Sequence, residues 1–470
     1  MTEHLFRKRE MGIKDFAKNI GMDGAIAYSV GARVIQAFTG VVSVFFIAAF
    51  LSGDEQGYYY TFGSLMAIQI FFELGFTGIM TQYVAHEAAH LSLGADNVYR
   101  GEEKYRSRLA YLIRFCLKWY LVIAIAFFVV INIVGVVFFR SYGVEGDGVN
   151  WRWPWILLSF STAVKLLQSP FTAIYSGLGK VKEMNEIGFY QQLVLPLSQW
   201  IMFALGLKLF VVGISSMLGV LIWLVYVFRT SLKNIFLNLL RIDITEKISY
   251  FQEIFPYQWK IALSWISGYF IFQLFNPVLF ATEGPVVAGQ MGMTLTVLNA
   301  IQALVLSWQN TKVPLYSGLI ELKKYGELDT IFNTTTKQVM GICTFLLGVM
   351  FTGVWGLKMT HLGFRGNELG DRFLDYAPMA ILMLPYLMNQ LVNSWATYLR
   401  CHKQEPYLII SVLGGFLQCL SVFVVGRAYG LYGIVIGYAV VTLILFPANY
   451  YIFKHKRVEW HDDVAGITGN

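Results

Sequence analysis

The sequence predicts an all-α polytopic membrane protein of about twelve transmembrane helices in two pseudo-symmetric six-helix lobes. Three observations predict it. The 470 residues are 56% apolar and only 14% charged, well under the quarter typical of soluble domains. Mean hydropathy is +0.55. About twelve stretches reach the roughly 20 apolar residues that a helix needs to cross a hydrocarbon core.

In chain order the spans fall near 25–51, 59–84, 114–139, 154–178, 184–207, 209–229, 257–281, 286–311, 337–359, 376–399, 406–427 and 430–453. Residues 1–24 are charged, and no cleavage site follows the first apolar run, so no signal peptide is expected. The organisation is then a cytoplasmic segment 1–24, an N-lobe 25–230, an amphipathic linker 231–256, a C-lobe 257–453 and a tail 454–470. Connections on the N-terminal side hold 24 of the 36 Lys and Arg and those opposite hold 7, which orients both termini to the cytoplasm. This distribution, rather than nucleic acid, accounts for the net charge of +7. Two of the inner connections, 86–108 and 231–255, mix apolar and basic residues and are expected to lie on the inner leaflet against anionic lipid.

The halves look duplicated. The segment GDEQGYYYTFG, with Gly57, corresponds to TEGPVVAGQMG, with Gly289. Both put an acidic turn before a glycine-opened helix. An even number of spans per half places the pseudo-twofold axis along the membrane normal and a central site between the halves.

Charges inside the spans are the first functional candidates. A bare charge at the bilayer centre costs roughly 2.5–3.5 kcal/mol, so it usually marks a pathway or a partner. Arg33 and Glu73 lie about 12 and 16 Å from the same side at helical rise, deep enough to pair across neighbouring helices. The bland alternatives are a structural pair or a snorkelling arginine. Lys165 lies near the midplane, too deep to snorkel; a phosphate within ~4 Å would gain about 4 kcal/mol per charge pair at an effective dielectric of 20. Lys260 follows Trp259 near the end of the seventh span, as interfacial anchors do. Amides recur at helical spacing: Gln192 and Gln199, Asn299 and Gln302, Asn389 and Asn393. Such stripes suit sugar hydroxyls, which need donors and acceptors, or simply bond helix to helix.

No cofactor or metal is expected. There is no phosphate loop, no His-Glu-x-x-His and no paired Cys-x-x-Cys; Cys116, Cys343, Cys401 and Cys419 read as small hydrophobes. His86, Glu87 and His90 read as a solvated polar face.

The opening GARVIQAFTGVVSVFFIAAFLSGDEQGYYYTFGSL, the Glu73-Leu74-Gly75 step, SPFTAIYSGLGKV and VPLYSGLIELKKYGELDTIF resemble, in order and spacing, the polysaccharide (O-antigen-type) flippases of the multidrug, oligosaccharidyl-lipid and polysaccharide exporter superfamily. Glu73 stands where that family more often carries Asp. The resemblance implies a V-shaped pair of lobes, alternating access, and a polyprenyl-pyrophosphate-linked oligosaccharide as substrate. It implies export across the bacterial inner membrane for surface polysaccharide such as lipopolysaccharide O-antigen, beside membrane lipid, a polysaccharide polymerase and other assembly proteins. A multidrug cation antiporter would want an acidic, aromatic cavity. A membrane polymerase or ligase would want a large outer loop, and the outer connections are short, so a transporter rather than an enzyme is expected.

Overall fold

The computed structural model describes residues 24–143, 148–402 and 404–465; a few helix side chains within these, Arg33 and Lys260 among them, lie outside the described set. Nearly all of what it describes is helical, in twelve rods. The first is α1 (Gly24–Phe50). The second is broken into α2 (Gly53–Met66), α3 (Gln69–Glu73) and α4 (Phe76–Ala88). A short hairpin, β1 (Leu91–Leu93) with β2 (Tyr99–Gly101), leads into α5 (Glu103–Tyr142). Then come α6 (Arg152–Gly177), α7 (Val181–Ala204) and α8 (Phe210–Arg229), followed by the linker helix α9 (Leu232–Leu240).

The second half repeats the plan. Its first rod is broken into α10 (Phe255–Phe272) and α11 (Phe275–Glu283), and its second is α12 (Pro285–Asn310) with α13 (Val313–Glu321). The remaining rods are α14 (Tyr325–Thr360), α15 (Tyr376–Cys401), α16 (Leu408–Ser421) and α17 (Arg427–Ala465), with a hairpin, β3 (Gly363–Phe364) and β4 (Asn367–Glu368), between α14 and α15. Among the described residues, five helices, or six with the bent second rod, are long and apolar enough to cross a membrane by length and composition alone.

Local chemistry sets the breaks. Ser52 caps α2 in a reciprocal box: its Oγ accepts from the Glu55 N–H at 3.1 Å, and the Glu55 carboxylate accepts from the Ser52 N–H at 2.9 Å. Leu74 and Gly75 are both left-handed (φ 49° and 70°), which ends α3 and bends the rod by 41°. The Glu-Leu-Gly step is therefore a hinge between two half-helices.

The cores show the shape. At the end of the molecule away from the termini, one core runs through both lobes, joining Phe62, Trp155 and Phe203 to Phe280, Met291 and Leu382. At the end that carries the termini the lobes have separate cores, one around Tyr175 and Trp223, the other around Tyr398 and Phe453. The lobes thus meet at the far end and diverge toward the termini.

The segments expected on the inner leaflet also pack on protein. Between 86 and 108 the chain forms the β1–β2 hairpin and the start of α5, and Arg108 is paired at 3.0 Å with both the buried Glu87 and Glu253. Helix α9 buries Leu232, Ile235 and Leu239 against the first lobe, and Arg114 donates to the Leu240 and Ile242 carbonyls at 2.6 and 2.7 Å. Burying that apolar face against side chains satisfies the same amphipathic pattern that lipid would have.

Candidate functional site

The far end is closed by a polar seam. The Gln56 amide donates to the Gly289 carbonyl at 2.8 Å and to the Arg372 carbonyl at 3.0 Å. The buried Arg372 guanidinium donates to the Leu51 carbonyl at 2.8 Å, and burial lowers its pKa despite nearby Asp371, Glu55 and Asp54. Asn276 donates to Ser64 at 3.1 Å, and the Tyr60 hydroxyl meets Met293 Sδ at 3.3 Å. Arg365 lies 4.6 Å over the Phe50 ring. The duplicated glycines meet here: a Cβ on Gly57 would sit 1.9 Å from the Pro285 carbonyl oxygen, and one on Gly289 would sit 2.9 Å from the Gly57 nitrogen. Only a glycine on each side lets the backbones come this close.

Below the seam, α1 and α12 diverge around a cavity of about 440 Å³. Gln36 and Gly40 line it from α1; Asn299, Ala303, Ser307 and Asn310 line it from α12. Among the described residues its walls carry amides and a hydroxyl and no charged group. Asn299 accepts from the Tyr386 hydroxyl at 2.9 Å. Gln36, Ser307 and Asn310 escaped the sequence reading. The signal was present, since Asn299, Ser307 and Asn310 recur at i, i+8 and i+11.

Lys165 is in the middle of α6 and exposed. The exposed apolar residues Trp153, Ile156 and Phe160 mark one face of α6; Lys165 projects roughly 120–180° away from them. On its own side, Pro154, Leu158 and Ser161 are buried, whereas Gln168, Ser169 and Thr172 are only half-buried. The face opens at Lys165, at the middle of α6. Among the described residues Lys165 has no hydrogen-bond or ion-pair partner, which leaves its ammonium free for an anion.

Glu73, at the hinge, is held by hydroxyls: Thr77 donates to it, Tyr120 donates to it at 3.3 Å, and Thr77 and Tyr120 bond each other at 2.7 Å. The expected partner Arg33 and the anchor Lys260 have side chains outside the described residues. Helix α1 packs chiefly on α7 and α12, whereas α3 packs on α5 and α10.

The amide stripes divide. Gln199 donates to Ser215 at 2.9 Å and joins α7 to α8. Gln192 is half-buried on α7. Asn299 faces the central cavity, but Gln302, Asn389 and Asn393 line a separate pocket inside the second lobe. Among the described residues no His, Cys, Asp or Glu cluster could hold a metal ion. Glu87 is taken by Arg108, and the His90 ring stacks 3.9 Å from Tyr105.

No family model matches the chain, and no curated protein matches it in sequence. Solved structures do match in fold. An inward-facing multidrug resistance MATE family transporter of the MOP superfamily aligns over 92% of this chain and 99% of its own, with a TM-score of 0.71 at 10% identity. An outward-facing transporter of the same description aligns over 93% and 96% at 12% identity, with a TM-score of 0.55. The lipid II flippase MurJ, in an inward closed conformation, aligns over 95% and 93% at 14% identity, with a TM-score of 0.53. The chain has the fold of these multi-pass membrane transporters. The higher score with the inward-facing form agrees with lobes joined at the far end and parted toward the termini.

Proposed function

We propose that this protein is a flippase for polyprenyl-pyrophosphate-linked oligosaccharide in the bacterial inner membrane, serving surface polysaccharide assembly such as O-antigen, capsule or exopolysaccharide. Its termini lie in the cytoplasm, so the parted end receives substrate from the inner leaflet. The carrying observation is the combination, among the described residues, of a cation without a partner, Lys165, and a central cavity whose walls carry amides and a hydroxyl but no carboxylate. A pyrophosphate needs the first and a sugar chain the second. Alternating access follows from the seam: breaking the Gln56 and Arg372 bonds while closing α1 on α12 at the terminal end would turn the cavity outward. The lipid tail would stay in the bilayer beside the lobes, so the cavity need hold only the head.

The fold likeness to a multidrug transporter favours a second reading, cation antiport. A cavity for cations is best lined by acids, and Glu73 is instead enclosed by Thr77 and Tyr120. The test is a deletion strain: lipid-linked repeat units should accumulate on the inner leaflet and clear when the wild-type protein is restored. Normal export in that strain, with raised drug sensitivity, would replace the flippase reading by the antiporter.

A further inference from the structure

The second lobe encloses its own polar pocket, distinct from the central cavity. It has a volume of about 300 Å³ and lies between α10, α12, α15, α16 and α17. Its chemistry comes from Gln302, Asn389, Asn393, Gln418, Tyr438 and Thr442. Among the described residues, no Lys, Arg, Asp or Glu lines it.

Some of these groups are spent within the protein. Asn389 donates to the Tyr438 hydroxyl at 2.8 Å, and the Thr442 hydroxyl donates to the Tyr438 carbonyl at 2.9 Å. Gln418 is different. Its side chain is 1% exposed, it lines the pocket, and neither its amide nitrogen nor its oxygen has a hydrogen-bond partner among the described residues. A buried amide left unpaired costs about 1–3 kcal/mol, so such a group calls for a partner. Packing keeps Gln418 in place: Gly415, three residues before it, lies so close to α10 that a Cβ there would be 2.9 Å from Ser267.

The inventory left unspent among the described residues includes two N–H donors and an acceptor oxygen on Gln418, the amides of Gln302 and Asn393, the Asn389 oxygen and the Tyr438 hydroxyl proton. Donors and acceptors alternate over a small volume without net charge. An inorganic cation would want carboxylates, an anion would want a lysine or arginine, and an apolar molecule would leave the amides unpaired. A ring carrying several hydroxyls answers both kinds of group.

We propose that this pocket is a carbohydrate subsite that takes one uncharged sugar residue, with Gln418 as its central hydrogen-bonding group. The proposal rests on the flippase reading and adds where part of the glycan is held: in the second lobe, with the first lobe's Lys165 left to the pyrophosphate.

The test uses the purified full-length protein in detergent and saturation-transfer NMR with free glucose, galactose, rhamnose and N-acetylglucosamine. At least one should receive saturation from the wild type. Gln418→Leu should weaken that binding about tenfold or more, as loss of two or more hydrogen bonds implies. Asn393→Leu, at a half-buried position, should weaken it too, which covers the case that Gln418→Leu fails to fold. Lys165→Ala should leave it unchanged. No saturation of any sugar in the wild type, or equal saturation in both leucine variants, would overturn the proposal. So would stabilisation by sodium over choline chloride that is lost in Gln418→Leu, since the pocket would then be a cation site. The two readings fail separately: sugar binding without lipid-linked oligosaccharide export keeps the subsite and sinks the flippase, and export without sugar binding does the reverse.

Discussion

Gly57→Ala tests whether the far-end seam holds the lobes together. The new methyl carbon would sit 1.9 Å from the Pro285 carbonyl oxygen and 2.4 Å from its carbon. Both obstacles are backbone, so no side chain can swing away. Restoring a 3.0 Å approach requires α2 and α12 to part by about 1.1 Å. The Gln56 bonds to Gly289 and Arg372, now 2.8 and 3.0 Å, would then pass the limit of about 3.2 Å for a good N–H···O bond. Two such bonds are worth about 1–3 kcal/mol, a shift of roughly 5- to 150-fold toward the far-end-open state. The assay is double electron–electron resonance between spin labels at Trp153→Cys and Leu362→Cys, with the four native cysteines replaced. Both positions are exposed and on opposite lobes. The distance distribution should move to longer values while the melting temperature stays high enough for a folded sample. An unchanged distribution in a folded Gly57→Ala protein would refute the gate.

Five further outcomes can be measured. Lys165→Ala should abolish export at normal protein level, with part retained by Lys165→Arg because charge survives; full export by the alanine variant would make this lysine structural. Tyr120→Phe should remove the bonds to Glu73 and Thr77 and lower stability by about 1–3 kcal/mol, read as a melting shift; a double-mutant cycle of Arg33→Gln with Glu73→Gln should show coupling if those two also pair, and additivity would exclude it. The Glu368 carboxylate, 2.9 Å from His361, raises that imidazole above its ordinary 6.5, so the β3–β4 hairpin should be stabilised fully below about pH 6.5 and lose that support as pH rises through the raised value; NMR titration should find His361 back at its ordinary value in Glu368→Gln. An impermeant thiol reagent should label Leu362→Cys in intact cells, and labelling only after permeabilisation would invert the proposed orientation.

Much of the architecture was written in local pattern. A run of apolar residues long enough to cross a bilayer can satisfy its backbone only as a helix, so α1, α5, α6, α15 and the rest fall close to the spans read from hydropathy. The duplicated acidic turn and glycine announced two equivalent helix starts. Glu73-Leu74-Gly75 was visible as an unusual step, and Lys165 as a charge needing a partner. These are one-dimensional facts, fixed by neighbours within a turn or two.

Tertiary structure decided which neighbours each residue meets. The sequence grouped Asn299 and Gln302 on one face; a rotation of about 60° separates them into two compartments, because α12 forms a wall of both the central cavity and the lobe's pocket. It offered Gln199 as a substrate contact and gave no sign that its amide also donates to Ser215 on the next helix. It gave no sign that Gly57 and Gly289 touch, since a contact across a pseudo-twofold axis joins residues more than two hundred positions apart. Hydropathy could not tell whether the linker's apolar face meets lipid or protein, for both solvents are equally dry. Nor could it single out Gln418, one glutamine among many, whose amide the packed lobe leaves buried at a pocket wall with no partner among the described residues. Periodicity records how a helix divides its own surface; what lies against each side is settled only when the other eleven rods are in place.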